Sequence, residues 1–375
     1  MQIPNWPVAG ERELELIRQV LESPQWGGYH PFVTQFENEF ASLQQVEHCI
    51  SAMNGTITLE LLLAAAGIGP GDEVIVPAIS FVATATSVSR VGATPVFVDI
   101  EPYTFNIDPN CVERAISMKT KAIIAVHFGG PLADMDRLLA LADDRKLILI
   151  EDAAHSQGAS WRGRGAGSMG WAGSFSFQNG KVLTAGEGGA MTTNSPDLAL
   201  KLRSLTNIGR KAGENFFFHY ELGTNARISA FQAAVLLAQL ERLPAQIALR
   251  ARNAAIIIES TRAVKGLTWQ QIPEQVTSNC WYLMLGRIDA VSFGRTRNQL
   301  QKDLSALGIP CTPFYPHTLY QNPLYRAGGC RVEKCPNAEE CVSDAFWFPH
   351  RVLMADPLAI QGISAALGGA FRESN

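Results

Sequence analysis

The sequence predicts an α/β protein, with a large domain of mainly parallel β-sheet over residues 1–250 and a smaller α+β domain over residues 251–375. Between residues 46 and 195, short apolar runs rich in β-branched residues alternate with longer helical stretches. The apolar runs are continuous rather than alternating, which indicates strands that are buried on both faces of a parallel sheet. Beyond residue 250 strands and helices follow in no regular alternation.

The elements of the large domain come in a regular order after an amphipathic helix near the N-terminus, in ERELELIRQVLES. In GIGPGDEVIVP a helix stops, a glycine-rich turn follows and a strand begins. Ligands of such sheets collect at the carboxyl ends of the strands, so we expect the functional site there. The predicted strands are DEVIVPAIS, TPVFVDI, KAIIAVHF and KLILIEDAA, and the predicted helices between them are TITLELLLAAAGI, TSVSRVGA and MDRLLALADDR.

A long helix is predicted over residues 229–263, with Pro244 as the point where it would kink or break. The smaller domain then contains a strand in NCWYLMLGRI, a helix in TRNQLQKDLSALGI and a further strand in FWFPHRVLMA. This change of pattern is the basis for placing the domain division near residue 250.

Composition excludes several function classes. The 375 residues carry a net charge of −4, so neither nucleic acid nor an anionic membrane is an expected partner. No apolar run reaches the ~20 residues that are needed to span a bilayer. The N-terminus lacks the basic-then-apolar order of a signal peptide, so a cytoplasmic location is expected.

The seven cysteines are odd in number and scattered, which argues against a disulfide framework. Cys330, Cys335 and Cys341 form the one cluster, where a three-thiolate metal site is conceivable. Their spacing differs from the paired Cys-x-x-Cys of zinc ribbons, and no nearby fourth ligand stands out. Free loop cysteines are therefore the favoured interpretation, and no metal is predicted.

Lys181 is isolated in GSFSFQNGKVLTAGEGGAMTTN, a run that is otherwise nearly uncharged. A lysine in an apolar setting is disfavoured as a cation, so its amine would be nucleophilic and able to form a Schiff base. The alternative is an ordinary surface lysine at a strand end.

Asp152 ends the apolar strand KLILIED, where a buried carboxylate needs a cationic partner such as a protonated pyridine nitrogen. A loop-capping aspartate is the alternative for Asp152.

A phosphate site is indicated by the tripeptide NGT, residues 54–56, which comes directly before a predicted helix. Backbone N–H groups, the helix dipole and the Thr56 hydroxyl would all face a bound phosphate, although a simple helix cap explains the tripeptide as well. Ser176 supplies a second hydroxyl, five positions before Lys181. Together these residues describe a site for a phosphorylated pyridine aldehyde that is held by a lysine.

Seven motifs in order resemble the DegT/DnrJ/StrS family of pyridoxal-phosphate (PLP) enzymes, and the resemblance runs from about residue 10 to 365. The family has the fold-type I architecture, and most members are aminotransferases that act on keto-sugars and cyclitols. The resemblance therefore implies a fold-type I protein with a large PLP-binding domain and a smaller C-terminal domain. The motifs are NGT, GIGPGDEVIVP, GATPVFVDI, VHFGGPLADMD, EDAAHSQGA, SFSFQNGKVLTAGEGGA and GTNARISAFQAAVLLAQLERL.

The resemblance also implies roles for single residues. Lys181 matches the Schiff-base lysine, which also serves as general acid and base, and Asp152 matches the carboxylate that pairs with the pyridinium nitrogen. The other matches are His155 for the ring hydroxyl, Gly55, Thr56 and Ser176 for the phosphate, Phe81 for stacking on the ring, and Asn225 for the phosphate of the neighbouring subunit's cofactor. The match of Asn225 implies a homodimer with shared active sites.

Within the family, the chain resembles the 3-amino-5-hydroxybenzoate (AHBA) synthases and the inosose (cyclitol) aminotransferases in the segments WRGRGAG, FSFQNGKVLTAGEGGA and KCPNAEEC. The expected reaction is amino transfer from L-glutamine or L-glutamate to a cyclic ketone, a keto-cyclitol or a keto-sugar. An AHBA-synthase-like dehydration and aromatisation is the alternative, and a non-catalytic PLP-binding regulator is a further one. Candidate substrate-binding residues are Tyr29, Arg210, His219, Arg227, Tyr315 and His317, although packing and ordinary salt bridges are equally open explanations for them.

Overall fold

The computed structural model describes residues 2–368 and is organised around one eight-stranded sheet and a separate four-stranded sheet. In chain order the strands are β1 (His48–Ala52), β2 (Glu73–Pro77), β3 (Thr94–Val98), β4 (Thr120–Val126), β5 (Ile148–Asp152), β6 (Ser160–Trp161), β7 (Arg164–Gly165), β8 (Ala172–Ser176), β9 (Gly189–Thr193), β10 (Leu267–Trp269), β11 (Val276–Ser278), β12 (Leu283–Ile288), β13 (Thr312–Pro313), β14 (Arg331–Val332) and β15 (Ala345–Pro349). The α-helices are α1 (Glu11–Glu22), α2 (Pro31–Gln44), α3 (Gly55–Ala65), α4 (Ala83–Arg90), α5 (Pro109–Ala115), α6 (Met135–Arg145), α7 (Pro196–Thr206), α8 (Ala230–Ser260), α9 (Ala290–Phe293), α10 (Arg297–Ala306), α11 (Pro323–Arg326), α12 (Pro336–Asp344) and α13 (Pro357–Gly368).

The large sheet has the strand order β1-β9-β8-β5-β4-β2-β3-β14. Strands β8, β5, β4, β2, β3 and β14 pair in parallel, whereas β9 is antiparallel to both of its neighbours. Every residue of β8 and β9 is buried, as expected for a sheet that is covered on both faces. The predicted α/β class with a mainly parallel sheet is confirmed.

Two apolar cores cover the two faces of this sheet. On one face α2 packs through Phe36 and Phe40 against Phe175 and Phe177, with ring centroids 4.9 to 5.3 Å apart in edge-to-face contacts. On the other face, α3, α4 and α7 supply a second core of aliphatic side chains. These two packed cores hold the strands in place, and with them the ends of the loops at the carboxyl edge of the sheet.

Helix α8 connects the two parts of the chain as a single helix from Ala230 to Ser260. The Ser229 hydroxyl accepts the N–H of Gln232, and the Gln232 side chain accepts the N–H of Ser229, which forms a capping box. The helix is not broken at Pro244. Side chains of α8 are buried before that residue in a core of the large sheet, and after it in the core of the small sheet. Since α8 runs through residue 250, the domain division near that residue stays a prediction.

The small sheet is antiparallel with the order β10-β12-β15-β13, and it packs against α8, α10 and α13. The strand predicted in NCWYLMLGRI is β12, the helix predicted in TRNQLQKDLSALGI is α10, and the last predicted strand begins at β15. The chain returns to the large sheet at β14, where Arg331 pairs with Val96 of β3. Within residues 2–368, no helix is both long and apolar enough to cross a membrane.

All seven cysteines are free thiols. Cys335 and Cys341 are buried in an apolar cluster that includes Phe105 and Phe314, and Cys330 is half-buried. Over residues 2–368 the structure contains no group of three or more His, Cys, Asp or Glu side chains that is arranged to hold a metal ion.

Candidate active site

Lys181 lies in the loop after β8, at the carboxyl edge of the large sheet. Gln178 folds this loop back, because its carbonyl accepts the Lys181 N–H at 2.8 Å and its side-chain oxygen accepts the Gly180 N–H at 2.8 Å. The Lys181 side chain is half-buried, and its Nζ lies 4.6 Å from the centroid of the Tyr282 ring. The amine is therefore held over an aromatic face, an arrangement that attracts a cation.

Asp152 ends β5, the strand that pairs with β8, and its side chain is buried. Thr84 Oγ1 donates a hydrogen bond of 2.8 Å to Asp152 Oδ2, and the Ala154 N–H donates one of 3.3 Å to Oδ1. Burial raises the pKa of Asp152 above its ordinary value, although Thr84 and the charge of Lys181 act in the opposite direction. The carboxylate would gain stability from a cationic group that enters the cleft.

His155 lies three residues beyond Asp152 and is also buried. Its Nδ1 accepts the N–H of Gly129 at 3.3 Å, so the neutral imidazole carries its proton on Nε2. Burial, together with the charges of Lys181 and His127, holds the pKa of His155 well below its ordinary value. The ring packs on Tyr282 with centroids 4.4 Å apart. His155 is thus a neutral donor whose free N–H is Nε2–H.

The first turn of α3 and the end of β8 form a close-fitting cradle. Asn54 Oδ1 accepts the N–H of Ile57 at 2.9 Å, so the Asn54 side chain caps the helix. A Cβ at Gly55 would lie 2.7 Å from the Cβ of Ser176, a separation that only glycine permits. The N-terminus of α3, with Thr56 in its first turn, is therefore held directly against Ser176.

Phe81 precedes α4 and has 59% of its surface exposed, which is unusual for a phenylalanine at the edge of a packed sheet. The strand ends bring Phe81, Asp152, His155, Ser176 and Lys181 to one edge of the sheet. A buried carboxylate, a neutral imidazole donor and a free amine thus lie together at this edge of the sheet, which also carries an exposed aromatic ring. This combination suits the binding of a planar, phosphorylated heteroaromatic aldehyde.

Comparison with known proteins agrees with this chemistry. The model of the DegT/DnrJ/EryC1/StrS aminotransferase family matches residues 7–366. The chain belongs to this family. It is 36% identical to the 3-amino-5-hydroxybenzoate synthase of Amycolatopsis mediterranei (strain S699), over 94% of this chain and 93% of that protein. It is 37% identical to the L-glutamine:2-deoxy-scyllo-inosose aminotransferase of Streptoalloteichus tenebrarius, over 98% and 94% of the two chains. A crystal structure of AHBA synthase has a TM-score of 0.93 at 34% identity, covering 100% of this chain and 99% of that one.

The aminotransferase family is PLP-dependent, and this member therefore belongs to the class of PLP-dependent aminotransferases. Three features of the cleft around Lys181 fit PLP. They are the Gly55–Ser176 cradle, the buried carboxylate of Asp152 and the Nε2–H donor of His155. The family resemblance, the predicted architecture and the enzyme class are confirmed.

Two further residues line the cleft of this aminotransferase and were not named as site residues from the sequence. Tyr282 contacts both Lys181 and His155, and Thr84 donates to Asp152. Thr84 lies three residues after the predicted ring-stacking residue Phe81, in the first turn of α4, so its position beside Phe81 in the sequence was a usable signal. Tyr282 lies in the segment NCWY, but its contacts with Lys181 and His155 depend on how the small sheet packs against the large one.

A buried pair lies directly behind Asp152. His127 Nε2–H donates to Glu151 Oε2 at 3.0 Å, and both side chains are fully buried. Burial alone would raise the pKa of Glu151, but the hydrogen bonds from His127 and from the backbone N–H groups of Gly170 and Gly167 lower it below its ordinary value. This pair links the ends of β4 and β5, and thus fixes the backbone that carries Asp152.

The predicted substrate residues separate into two groups. Tyr315 lies by the cleft, where burial, followed by Tyr282 and Asp152, raises the pKa of its phenol. His317 donates its Nδ1–H to the carbonyl of its neighbour Thr318 at 2.9 Å. The roles of both residues stay predictions.

The second group gathers around Asn207, away from Lys181. Asn207 Oδ1 accepts hydrogen bonds from Tyr29 at 3.0 Å and from Arg227 at 2.7 Å. Tyr29, Arg210 and Arg227 line a cavity of about 1020 Å³ whose lining includes neither Lys181 nor Asp152. His219 donates its Nδ1–H to the Ile208 carbonyl at 2.8 Å, next to this cavity. Within one chain, these four predicted substrate residues therefore do not reach the Lys181 cleft.

Proposed function

We propose that the protein binds pyridoxal 5′-phosphate through Lys181 and transfers an amino group from L-glutamine or L-glutamate to a cyclic ketone, either a keto-cyclitol or a keto-sugar. The observation that carries the proposal is the placement of the Lys181 amine in one cleft with the buried Asp152 carboxylate and the neutral His155 imidazole. The inosose aminotransferase relative supports glutamine as the donor and a cyclitol ketone as the acceptor.

Each residue has a distinct task in this proposal. Gly55, Thr56 and Ser176 would hold the phosphate, and Phe81 would cover one face of the ring. Asp152 would stay ionised opposite the ring nitrogen, and His155 Nε2–H would donate to the ring oxygen. When bound there, the cofactor supplies an electron-accepting ring that stores the electron pair released from the donor's Cα–H bond.

Lys181 then has two tasks. Its amine would hold the bound cofactor by a covalent bond, and an incoming donor amine would take its place and set the Lys181 amine free. The freed Nζ would then take the proton from the donor's α-carbon and deliver it to the carbon on the cofactor side of the shared nitrogen, after which a water molecule would release the donor as a keto acid. With the ketone acceptor, the same Nζ moves a proton in the opposite sense.

The donor half of the reaction is the direct test. Adding L-glutamine or L-glutamate to the PLP-loaded protein should replace the absorbance band of the lysine-bound cofactor with that of its amine form. One keto acid should be released per site. The absence of conversion with every amino donor would reject the proposal, and L-alanine and L-aspartate serve as comparison donors.

An AHBA-synthase-like dehydratase is the second candidate, favoured by the 36% identity to that enzyme and by the TM-score of 0.93. It predicts an ultraviolet-absorbing aromatic product from an amino-ketone ring, with no net exchange of amine. Presenting the PLP-loaded protein with a cyclic amino-ketone and following both the aromatic absorbance and the amine balance separates the two reactions.

We further propose a homodimer in which Asn225 reaches the phosphate of the partner's cofactor. Asn225 is exposed in the single chain. Close to it lies a segment of exposed apolar side chains that includes Phe216, Phe217 and Leu222, of which Leu222 is fully exposed. Contacts across such an interface would also bring Tyr29, Arg210 and Arg227 towards the neighbouring cleft.

Mixing two impaired variants tests the shared site. Lys181→Ala and Asn225→Ala chains should each be deficient, whereas a mixed dimer contains one site with both native residues. Randomly mixed subunits should recover about a quarter of the wild-type activity, since half of the dimers are mixed and each has one intact site. A mixture that shows only the average of the two separate activities would exclude the shared arrangement.

A further inference from the structure

The backbone on both sides of Lys181 is held by two side chains from distant parts of the chain. His350 Nε2–H donates to the Gly180 carbonyl at 3.2 Å, and Trp6 Nε1–H donates to the Lys181 carbonyl at 3.1 Å. The two rings also contact each other edge to face, with centroids 4.5 Å apart. The peptide units before and after the lysine are therefore anchored to one aromatic pair.

The small sheet presents this pair to the lysine loop. Leu283 of β12 lies opposite Pro349 of β15, so Tyr282 and His350 are neighbours at the end of these two strands. The His350 N–H donates to the Tyr282 carbonyl at 3.0 Å, which ties the two residues together. One strand end thus contacts the Lys181 amine through the Tyr282 ring and the lysine backbone through the imidazole.

The protonation of His350 is fixed by its surroundings. Burial, followed by the charge of Arg250, lowers the pKa of His350 to about 3, so the imidazole is neutral and has a single N–H. The Gly180 carbonyl can only accept a hydrogen bond, so its partner Nε2 must carry the N–H of the neutral imidazole. Arg250 is itself fully buried, and its Nε donates to the Cys280 carbonyl at 2.7 Å. Arg250 therefore holds the strand end through the Cys280 carbonyl, and its charge adds to the effect of burial in disfavouring the imidazolium form of His350.

We propose that Trp6 and His350 are positioning residues, which clamp the Lys181 loop so that its amine meets the cofactor aldehyde in one fixed orientation. This inference rests on the proposed role of Lys181. It goes beyond that role, because it makes the reactivity of the lysine depend on the N-terminal segment and on the small sheet. Loss of either hydrogen bond should lower kcat and leave the KM for the amino donor nearly unchanged.

Three substitutions separate the clamp from general packing. His350→Leu removes the donor, whereas His350→Gln retains an N–H near the position of Nε2. Trp6→Phe retains an aromatic ring and removes only the indole N–H. Trp269→Phe is the matched control, since the Trp269 indole donates at 2.9 Å to Thr261 in the small core, away from Lys181.

Two readouts are independent of turnover. Hydrogen–deuterium exchange of residues 178–184 in the full chain should accelerate about fivefold in Trp6→Phe, because one hydrogen bond to the loop is lost. It should accelerate about tenfold in His350→Leu, which removes one hydrogen bond and also the ring that packs against Trp6. The rate at which PLP forms a borohydride-reducible adduct on the Lys181 peptide should fall by similar factors. His350→Gln should restore both values towards wild type, and Trp269→Phe should change neither.

Several outcomes would overturn the clamp. If Trp6→Phe showed the wild-type rate of hydrogen–deuterium exchange and the wild-type rate of adduct formation, the proposed clamp would be wrong. This result would be decisive even if His350→Leu failed to fold. Equal deficits in His350→Gln and His350→Leu would show that shape rather than the hydrogen bond matters. A wild-type protein that forms no adduct at Lys181 would overturn the proposed function and with it this inference, whereas equal adduct rates in all variants overturn the inference alone.

Discussion

Lys181→Ala should lower the turnover of donor and acceptor by at least about 10³-fold, since it removes both the covalent anchor and the general acid and base. Over the described residues, Lys181 is the only cation that forms a cation–π contact with Tyr282. The variant should still bind PLP, because Asp152, His155 and the Gly55–Ser176 cradle remain. The measurement is steady-state kcat together with PLP binding followed by absorbance.

Lys265→Ala is the matched control, since it removes an exposed lysine from the small domain. A small primary amine added to Lys181→Ala should restore part of the lost activity, because the truncated side chain leaves room beside the Tyr282 ring for an external base. Full activity in Lys181→Ala without added amine would refute both candidate reactions, since each uses the same general acid and base.

The strand-end residues were predictable from the sequence for a physical reason. Asp152 ends a predicted apolar strand and Ser176 lies on the strand that leads to Lys181, and the carboxyl ends of parallel strands meet at one edge of a sheet. The strand pattern in the sequence, together with this rule for parallel sheets, was sufficient to predict that the two side chains lie at the same edge. The first turn of α3 was predictable in the same way, because NGT directly precedes an apolar helical run.

Residues whose position depends on packing between distant segments were not predictable. Trp6 and His350 contact the Lys181 loop across 175 and 170 positions of sequence, and no local pattern indicates such a contact. Pro244 shows the opposite effect, because burial along α8 preserves a helix that proline alone would be expected to interrupt. Tyr29 and Arg227 were predicted as substrate-binding residues from their residue types, and the structure shows that in one chain they bind Asn207 instead.

Asp152→Asn should lower activity and at the same time stabilise the cofactor-free protein. The amide preserves the shape of the side chain and removes the charge that stabilises a protonated ring nitrogen, so we expect a loss of roughly 10²–10³ in kcat, as for other electrostatic groups in buried sites. Asp144→Asn, which alters an exposed carboxylate with 69% of its side chain accessible, should change neither property.

The gain in stability follows from the direction of the pKa shift. Burial raises the pKa of Asp152, so the folded protein holds this proton more tightly than the unfolded chain does, and ionisation destabilises the fold. This penalty is absent below the ordinary pKa of the carboxyl, grows as the pH rises through the raised pKa, and is complete above it. The melting temperature of Asp152→Asn should thus exceed that of the wild type at pH 7 and converge with it in acid. A variant that is less stable at pH 7, or equally active, would show that the carboxylate serves packing rather than the charge of a bound ring.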